Sequence, residues 1–144
     1  MLLHAEIERV VAFTVLFLTP PSVNHHTRTC FYTGKDGAAH RGKKLTAEAR
    51  AFNDAVAIFA RGRTVTPATA AERRKVKYEV RMDIYLGPNQ RLDADNGAKV
   101  GIDALVKCGV IHSDAYVAPF IVSTHKDDRT NPRTEYCVTR LEPK

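Results

Sequence analysis

The sequence contains no tryptophan and only three cysteines, Cys30, Cys108 and Cys137, scattered over 144 residues. Without an indole it has no large stacking platform of that kind. No two cysteines form a CxxC pair, and three distant ones make neither a zinc knuckle nor a disulfide framework. They read as reduced, mostly buried thiols of a cytosolic protein. Long hydrophobic runs are also missing: the strongest, "VVAFTVLFL" at Val10–Leu18, is too short to span a bilayer. Glu6 and Glu8 precede it and no small-residue cleavage site follows, which argues against a secretory signal. The expectation is a cytoplasmic protein with no membrane partner. Internal repeats and low-complexity segments are absent, leaving one domain over residues 1–144.

What the chain does have is positive charge. Lys and Arg number 22 against 16 Asp and Glu, for a net charge of +6. Such an excess favours nucleic acid or another anionic partner. Apolar residues at 44% and charged residues at 26% are ordinary globular composition, in a chain long enough to bury a core.

Val10–Leu18 reads as a buried strand stopped by Pro20 and Pro21. Residues 22–44, "SVNHHTRTCFYTGKDGAAHRGKK", read as a long basic loop. Thr46 can cap a helix in which Phe52, Val56 and Phe59 recur at helical spacing. Residues 61–77 mix a linker with basic residues, and Val76–Leu86 then alternates, with Tyr78, Val80, Met82 and Ile84 on one face of a strand. Asp95 can cap a second helix from Asn96 to Cys108, striped by Ala98, Ile102, Leu105 and Val106 and stopped at Gly109. Residues 115–125 and 134–141 look like two strands around the turn "KDDRTNPR". The fold class is therefore α+β, in the order β-α-β-α-β-β, with a mixed sheet and two main helices.

The acids of "RLDADNGAKVGIDALVKCGVIHSDAYV" are out of character for a basic protein. If residues 91–95 are extended, Asp93 and Asp95 point to one side. The helix then runs about 20 Å away. Five extended residues after Gly109 return about 17 Å, which would bring Asp114 beside the helix start. Three converging carboxylates repel one another unless protonated or bound to a cation. Their hard oxygens suit Mg²⁺, with Mn²⁺ as the alternative. Lys99, one turn after Asp95, can offset the negative charge, orient an attacking water or stabilise a phosphate oxygen. Asp103, a further turn along, fixes backbone or Lys99.

Blander readings exist: an isolated DxD is more often a cap and a loop acid. An EF-hand fails, because from Asp93 its sixth position is Ala98 rather than Gly and its twelfth Ala104 rather than Glu. A sugar-nucleotide DxD site lacks room for a nucleotide-binding domain. His25, His26 and His40 with Cys30 match no common zinc spacing. Lys43 and Lys44 (with Arg41), Arg73, Arg74 and Lys75 (with Lys77), and Lys126 and Arg129 (with Arg133) are candidate phosphate contacts. A merely solvated surface is an equal reading of each cluster. Asn24 shapes the turn of "PPSVN" and, with His25, is placed for DNA. Phe31 and Tyr32 either stack on an exposed base or pack the loop onto the body.

"DADNGAKVGIDAL" followed by "GVIHSDAYV" resembles the RusA family of Holliday-junction resolvases, whose core reads D-x-D-N-x-x-K-x-x-x-D-A-L and then G-x-x-x-D-D. "TPPSVNHH" is similar to that family's P-P-S-x-N element, and "LTAEARAFNDAV" to its first helix. The resemblance runs from about Val11 to Leu141, with these elements in order. It implies a bacterial or phage-encoded homodimer of α/β fold. It also implies Mg²⁺-dependent, paired symmetric cleavage of four-way DNA junctions in recombination and repair. By the same resemblance Asp93, Asp95 and Asp114 are metal ligands, Lys99 is the essential lysine, and Asn96 and Asp103 are structural. Two positions depart: Ser113 stands where the family has a second acid, and Gly97 replaces a bulkier residue at a cost of about 1 kcal/mol in helix propensity. The alternative is a DNA-binding module of the same fold that no longer cuts. The intact aspartate and lysine set argues for the enzyme, since binding alone gains nothing from crowded acids near phosphate.

Overall fold

The computed structural model describes residues 7–16, 18–21, 27–126 and 131–142. Among these residues the fold is mixed α+β, with six strands and two main helices. Strands β1 (Val10–Leu16), β4 (Lys77–Tyr85), β5 (Val117–His125) and β6 (Arg133–Leu141) make one sheet in the order β1-β6-β4-β5. Strands β2 (Thr27–Thr33) and β3 (Ala39–Leu45) form a separate two-stranded ribbon. Helix α1 spans Ala47–Ala60, the short α2 Ala70–Arg73, and α3 Ala94–Lys107.

The alternation in β4 does what alternation predicts. Tyr78, Val80, Met82 and Ile84 are buried against the helices, whereas Lys77 and Arg81 are exposed on the opposite face. Val11 and Val15 of β1, Phe52 and Val56 of α1, and Val100 and Leu105 of α3 complete the same core. β4 pairs antiparallel with β6 and parallel with β5. The last two strands are therefore separated by β4, although they are consecutive in sequence.

Thr46 caps α1, its Oγ1 accepting from the Ala49 N–H at 3.2 Å. α3 begins earlier than the sequence reading places it. Asp93, not Asp95, is the N-cap, and Asp95 already lies in the first turn. At the other end Gly109 adopts φ +83°, so the Gly109 N–H reaches the Val106 carbonyl and the Val110 N–H that of Leu105. This left-handed stop satisfies carbonyls that the helix end would otherwise orphan.

Gly97 and Gly101 let α3 lie close on the sheet. A Cβ on Gly97 would sit 2.8 Å from Leu92 Cδ2 and 3.0 Å from Ile84 Cδ1, and one on Gly101 would run into Met82 Sδ. The propensity lost at Gly97 is thus the condition for close packing. The Tyr136 hydroxyl donates to the Gly101 carbonyl at 3.0 Å, pinning the same point. Burial raises the Tyr136 pKa well above its ordinary value.

The basic loop expected over residues 22–44 is not structureless. Thr27–Leu45 is a β-hairpin with Arg28 opposite Lys44 and Phe31 opposite Arg41. No apolar stripe announces it, because both faces are largely polar.

Candidate active site

After β4 the chain closes a turn in which the Gln90 side chain accepts from the Gly87 N–H at 2.6 Å. The Gln90 amide donates to Thr19 Oγ1 at 3.3 Å, tying the turn to the segment behind β1. This delivers Asp93 to the start of α3, where its backbone carbonyl accepts from Gly97 at 3.1 Å. The Asp93 side chain makes no cap hydrogen bond. Its carboxylate is therefore not consumed by the role an N-cap aspartate usually fills. Asp93, Asp95 and Lys99 are all exposed at this helix end. The positive end of the helix dipole favours the two acids there.

A cleft of about 490 Å³ adjoins the turn, lined in part by Pro20, Pro21, Gln90, Arg91 and Leu92. The proline pair and the segment leading to Asp93 thus share one depression. Asn24 and His25, which follow the prolines, lie outside the described residues.

Asp114 is elsewhere. It opens a 3-10 turn, Asp114–Tyr116, that leads into β5, whose first residue Val117 is level with Tyr78 near the start of β4. α3 runs the opposite way along β4, with Gly97 over Ile84 and Gly101 over Met82. Asp93 and Asp95 are consequently beyond one end of β4 and Asp114 at the other, a separation on the order of 20 Å set by the helix length. The expected return of Asp114 to the helix start within one chain does not occur. The reason is topological: a crossover between parallel strands must deliver the next strand to the end where the previous one began. The return segment is also held in place, since Val110 accepts from the Val65 N–H at 3.0 Å and Ile111 is fully buried. Among the described residues no three His, Cys, Asp or Glu side chains are placed to hold a metal ion.

Local packing explains two residues around Asp114. Ser113 is the N-cap of its turn, with Oγ accepting from the Ala115 N–H at 3.2 Å. Ser and Asp are interchangeable in that role, so the departure at this position keeps the turn. His112, overlooked in the sequence, bonds Tyr78 Oη through Nδ1 at 2.7 Å, and its ring lies 4.7 Å from that of Tyr116. Burial, and then the Arg73 charge, lower its pKa. A histidine two residues before the acid was the only sequence signal for it.

The basic candidates divide between the two ends. Lys126 follows β5 at the Asp93 end and is exposed, while Arg74 and Lys75, also exposed, precede β4 at the Asp114 end. Arg73 serves the fold, its Nη1 donating to the carbonyls of Pro67 and Ala68 at 3.1 and 2.8 Å. Lys43 and Lys44 are exposed on the ribbon. Arg129 lies outside the described residues.

The sheet face away from the helices carries a further polar cluster. His125 Nε2 meets Asp83 Oδ1 at 2.8 Å, the His125 and Tyr85 rings stack at 4.5 Å, and the Arg133 guanidinium lies 3.7 Å over Tyr85. Cross-strand register assembles this group from three strands, so no local pattern signals it. Among the described residues no helix is long and apolar enough to cross a membrane.

The family model of Endodeoxyribonuclease RusA matches residues 21–139, nearly the whole chain. No curated protein matches it.

Proposed function

The chain belongs to the RusA endodeoxyribonuclease family, and from that premise we propose that it is a Mg²⁺-dependent nuclease cutting four-way DNA junctions as a homodimer, with each metal site shared between two protomers. The observation that carries the shared site is the placement of Asp93 and Asp95 at one end of α3 and of Asp114 at the other. A single ion draws its oxygen ligands within about 2.1 Å, which acids ~20 Å apart cannot satisfy. A two-fold pairing can, because each protomer then offers its Asp93 and Asp95 to the partner's Asp114. The donor set fits the ion: all are exposed carboxylates, and the Asp93 side chain is not engaged in capping.

A cation held there supplies Lewis-acid stabilisation of charge on the scissile phosphate. The chain's own groups do the rest. Lys99, one turn above Asp95, places a positive charge where a phosphate oxygen or an attacking water is to be oriented. The α3 N-terminus adds backbone N–H groups facing the same anion. Lys126 at one end, and Arg74 and Lys75 at the other, hold phosphates on either side and give salt-dependent affinity without reading sequence. Two equivalent sites related by a dyad suit two symmetric cuts, the requirement for resolving a junction into duplexes. Such a role sits within DNA recombination and repair in the cytoplasm of a bacterium or its phage.

The test is incubation of the purified chain with labelled four-way junction and matched linear duplex, with Mg²⁺ or chelator. Paired nicks confined to the junction and abolished by Asp95→Asn are expected. Junction binding without nicks under any divalent ion would instead favour the non-cutting DNA-binding module.

A further inference from the structure

The β2–β3 ribbon stands apart from the rest of the molecule. Neither strand joins the four-stranded sheet, and among the described residues no other element makes more than slight contact with either. A two-stranded hairpin is marginal in water by itself, yet this one keeps its two large aromatic side chains outside. Phe31 is 77% exposed and Tyr32 56%. Among the described residues neither ring packs onto the body.

Tyr32 has a local explanation. Its ring covers Gly42, where a Cβ would lie 3.1 Å from Cε1, and stacks on His40 at 5.6 Å. His40 is in turn held by Asp36 at 3.0 Å, a contact that lowers the Asp36 pKa. Among the described residues Phe31 has no such support. It faces Arg41 across the ribbon, with the next pair on its side being Thr29 and Lys43.

The charges are equally one-sided. Residues 27–45 hold five cations and a single acid, Asp36, already engaged by His40. Arg28 and Lys44 lie directly opposite each other, an arrangement that repels unless an anion sits between them. A bare aromatic ring flanked by cations, on a projecting ribbon that needs anions to relieve it, matches nucleic acid in which bases are accessible. Cations take the phosphates and the ring takes a base face. In an intact duplex the base faces are covered and only groove edges are offered. At the centre of a branched DNA they are not.

We infer that the β2–β3 ribbon is a branch-sensing arm: Phe31 stacks on an unstacked base at the DNA crossover while Arg41 and Lys43, on the same face, grip the flanking phosphates and Arg28 and Lys44 hold phosphate on the other face. The inference rests on the reading above only in taking DNA as the partner. It places selectivity for branched over linear DNA in the arm rather than at the acids.

The absence of tryptophan from the chain supplies the probe. Phe31→Trp makes a single indole reporter in the full-length protein, titrated in chelator so that no cleavage intervenes. Its emission should be quenched by a four-way junction and barely altered by linear duplex of the same sequence. Phe31→Ala should weaken junction binding by about tenfold or more, the scale of one lost stacking contact, and leave duplex binding within about twofold. Because the side chain is exposed, folding should survive, and an unchanged circular dichroism melt checks this. An indole signal indifferent to saturating junction in Phe31→Trp, or equal loss of both DNAs in Phe31→Ala, overturns the inference while leaving junction cleavage standing. Quenching by anionic phospholipid vesicles but not by junction would overturn it in favour of a membrane arm. A change in sedimentation of Phe31→Ala without a change in DNA binding would overturn it in favour of a contact between copies. If the unaltered chain bound no junction, the inference would fail together with the functional reading.

Discussion

Two inactive variants should repair each other. In a shared site, Asp95→Asn removes a ligand contributed by one protomer and Asp114→Asn a ligand contributed by the other. Either homodimer then has two defective sites. In a mixed dimer both defects fall in the same site, and the second site receives an intact Asp95 from one chain and an intact Asp114 from its partner. Random one-to-one assembly makes half the dimers mixed, so about a quarter of all sites regain wild-type composition. Dimers isolated with two different tags should retain about half of the wild-type site count. The separate variants should fall by roughly 10²-fold or more, the scale of losing about 3 kcal/mol of transition-state stabilisation. Co-expression, tandem purification and a denaturing gel of end-labelled junction give the readout. The mixed dimer should nick one strand where the wild type nicks two. A purified mixed dimer no more active than either parent would refute the shared site, because acids united within one chain leave every site of such a dimer with one defect.

Other consequences follow from the packing. Gly101→Ala should destabilise the fold by about 1–2 kcal/mol in urea denaturation, since overpacking against Met82 and the Tyr136 hydroxyl outweighs the ~1 kcal/mol gain in helix propensity. Thr46→Ala should cost about 1 kcal/mol of stability through loss of the α1 cap, with junction affinity unchanged. Arg73→Ala should lower the thermal midpoint by releasing the Pro67 and Ala68 carbonyls. Arg74→Ala should instead leave the midpoint alone and reduce the slope of log affinity against log salt by about one. Ser113→Asp, which keeps an N-cap acceptor, should retain cleavage, and Ser113→Ala should reduce it more than the aspartate does.

The elements with a one-sided apolar pattern were legible in the sequence. β4 alternates because one face meets the helices. α1 is announced by Thr46 and by Phe52 and Val56 one turn apart, and α3 by its stripe and by Gly109. The β2–β3 ribbon was not legible, because neither of its faces is buried and hydrophobic periodicity therefore carries no record of it. Its register rests on cross-strand pairing, which a single strand's sequence does not encode. The position of Asp114 failed for another reason. Segment lengths allowed the chain to come back along α3, and only the parallel pairing of β4 with β5 decides that it does not. The sequence marked the acids themselves by their contrast with a basic chain. Their partition between two ends is a property of topology, beyond the reach of spacing. Asp93 rather than Asp95 at the cap is a shift of two residues, of the size that helix ends routinely show.

α3 also works as a measuring rod. Asp93 and Asp95 stand at its N-terminal end and Asp114 beyond its C-terminal end, and Gly97 and Gly101 seat it closely on β4. One added residue would lengthen the rod by about 1.5 Å and swing everything beyond it by about 100°. In the proposed symmetric pair, the rod's length would set how far apart the two candidate sites stand, and so which phosphates on the opposed strands come within reach. Tolerance to insertion should therefore be lower here than in any other segment of comparable exposure.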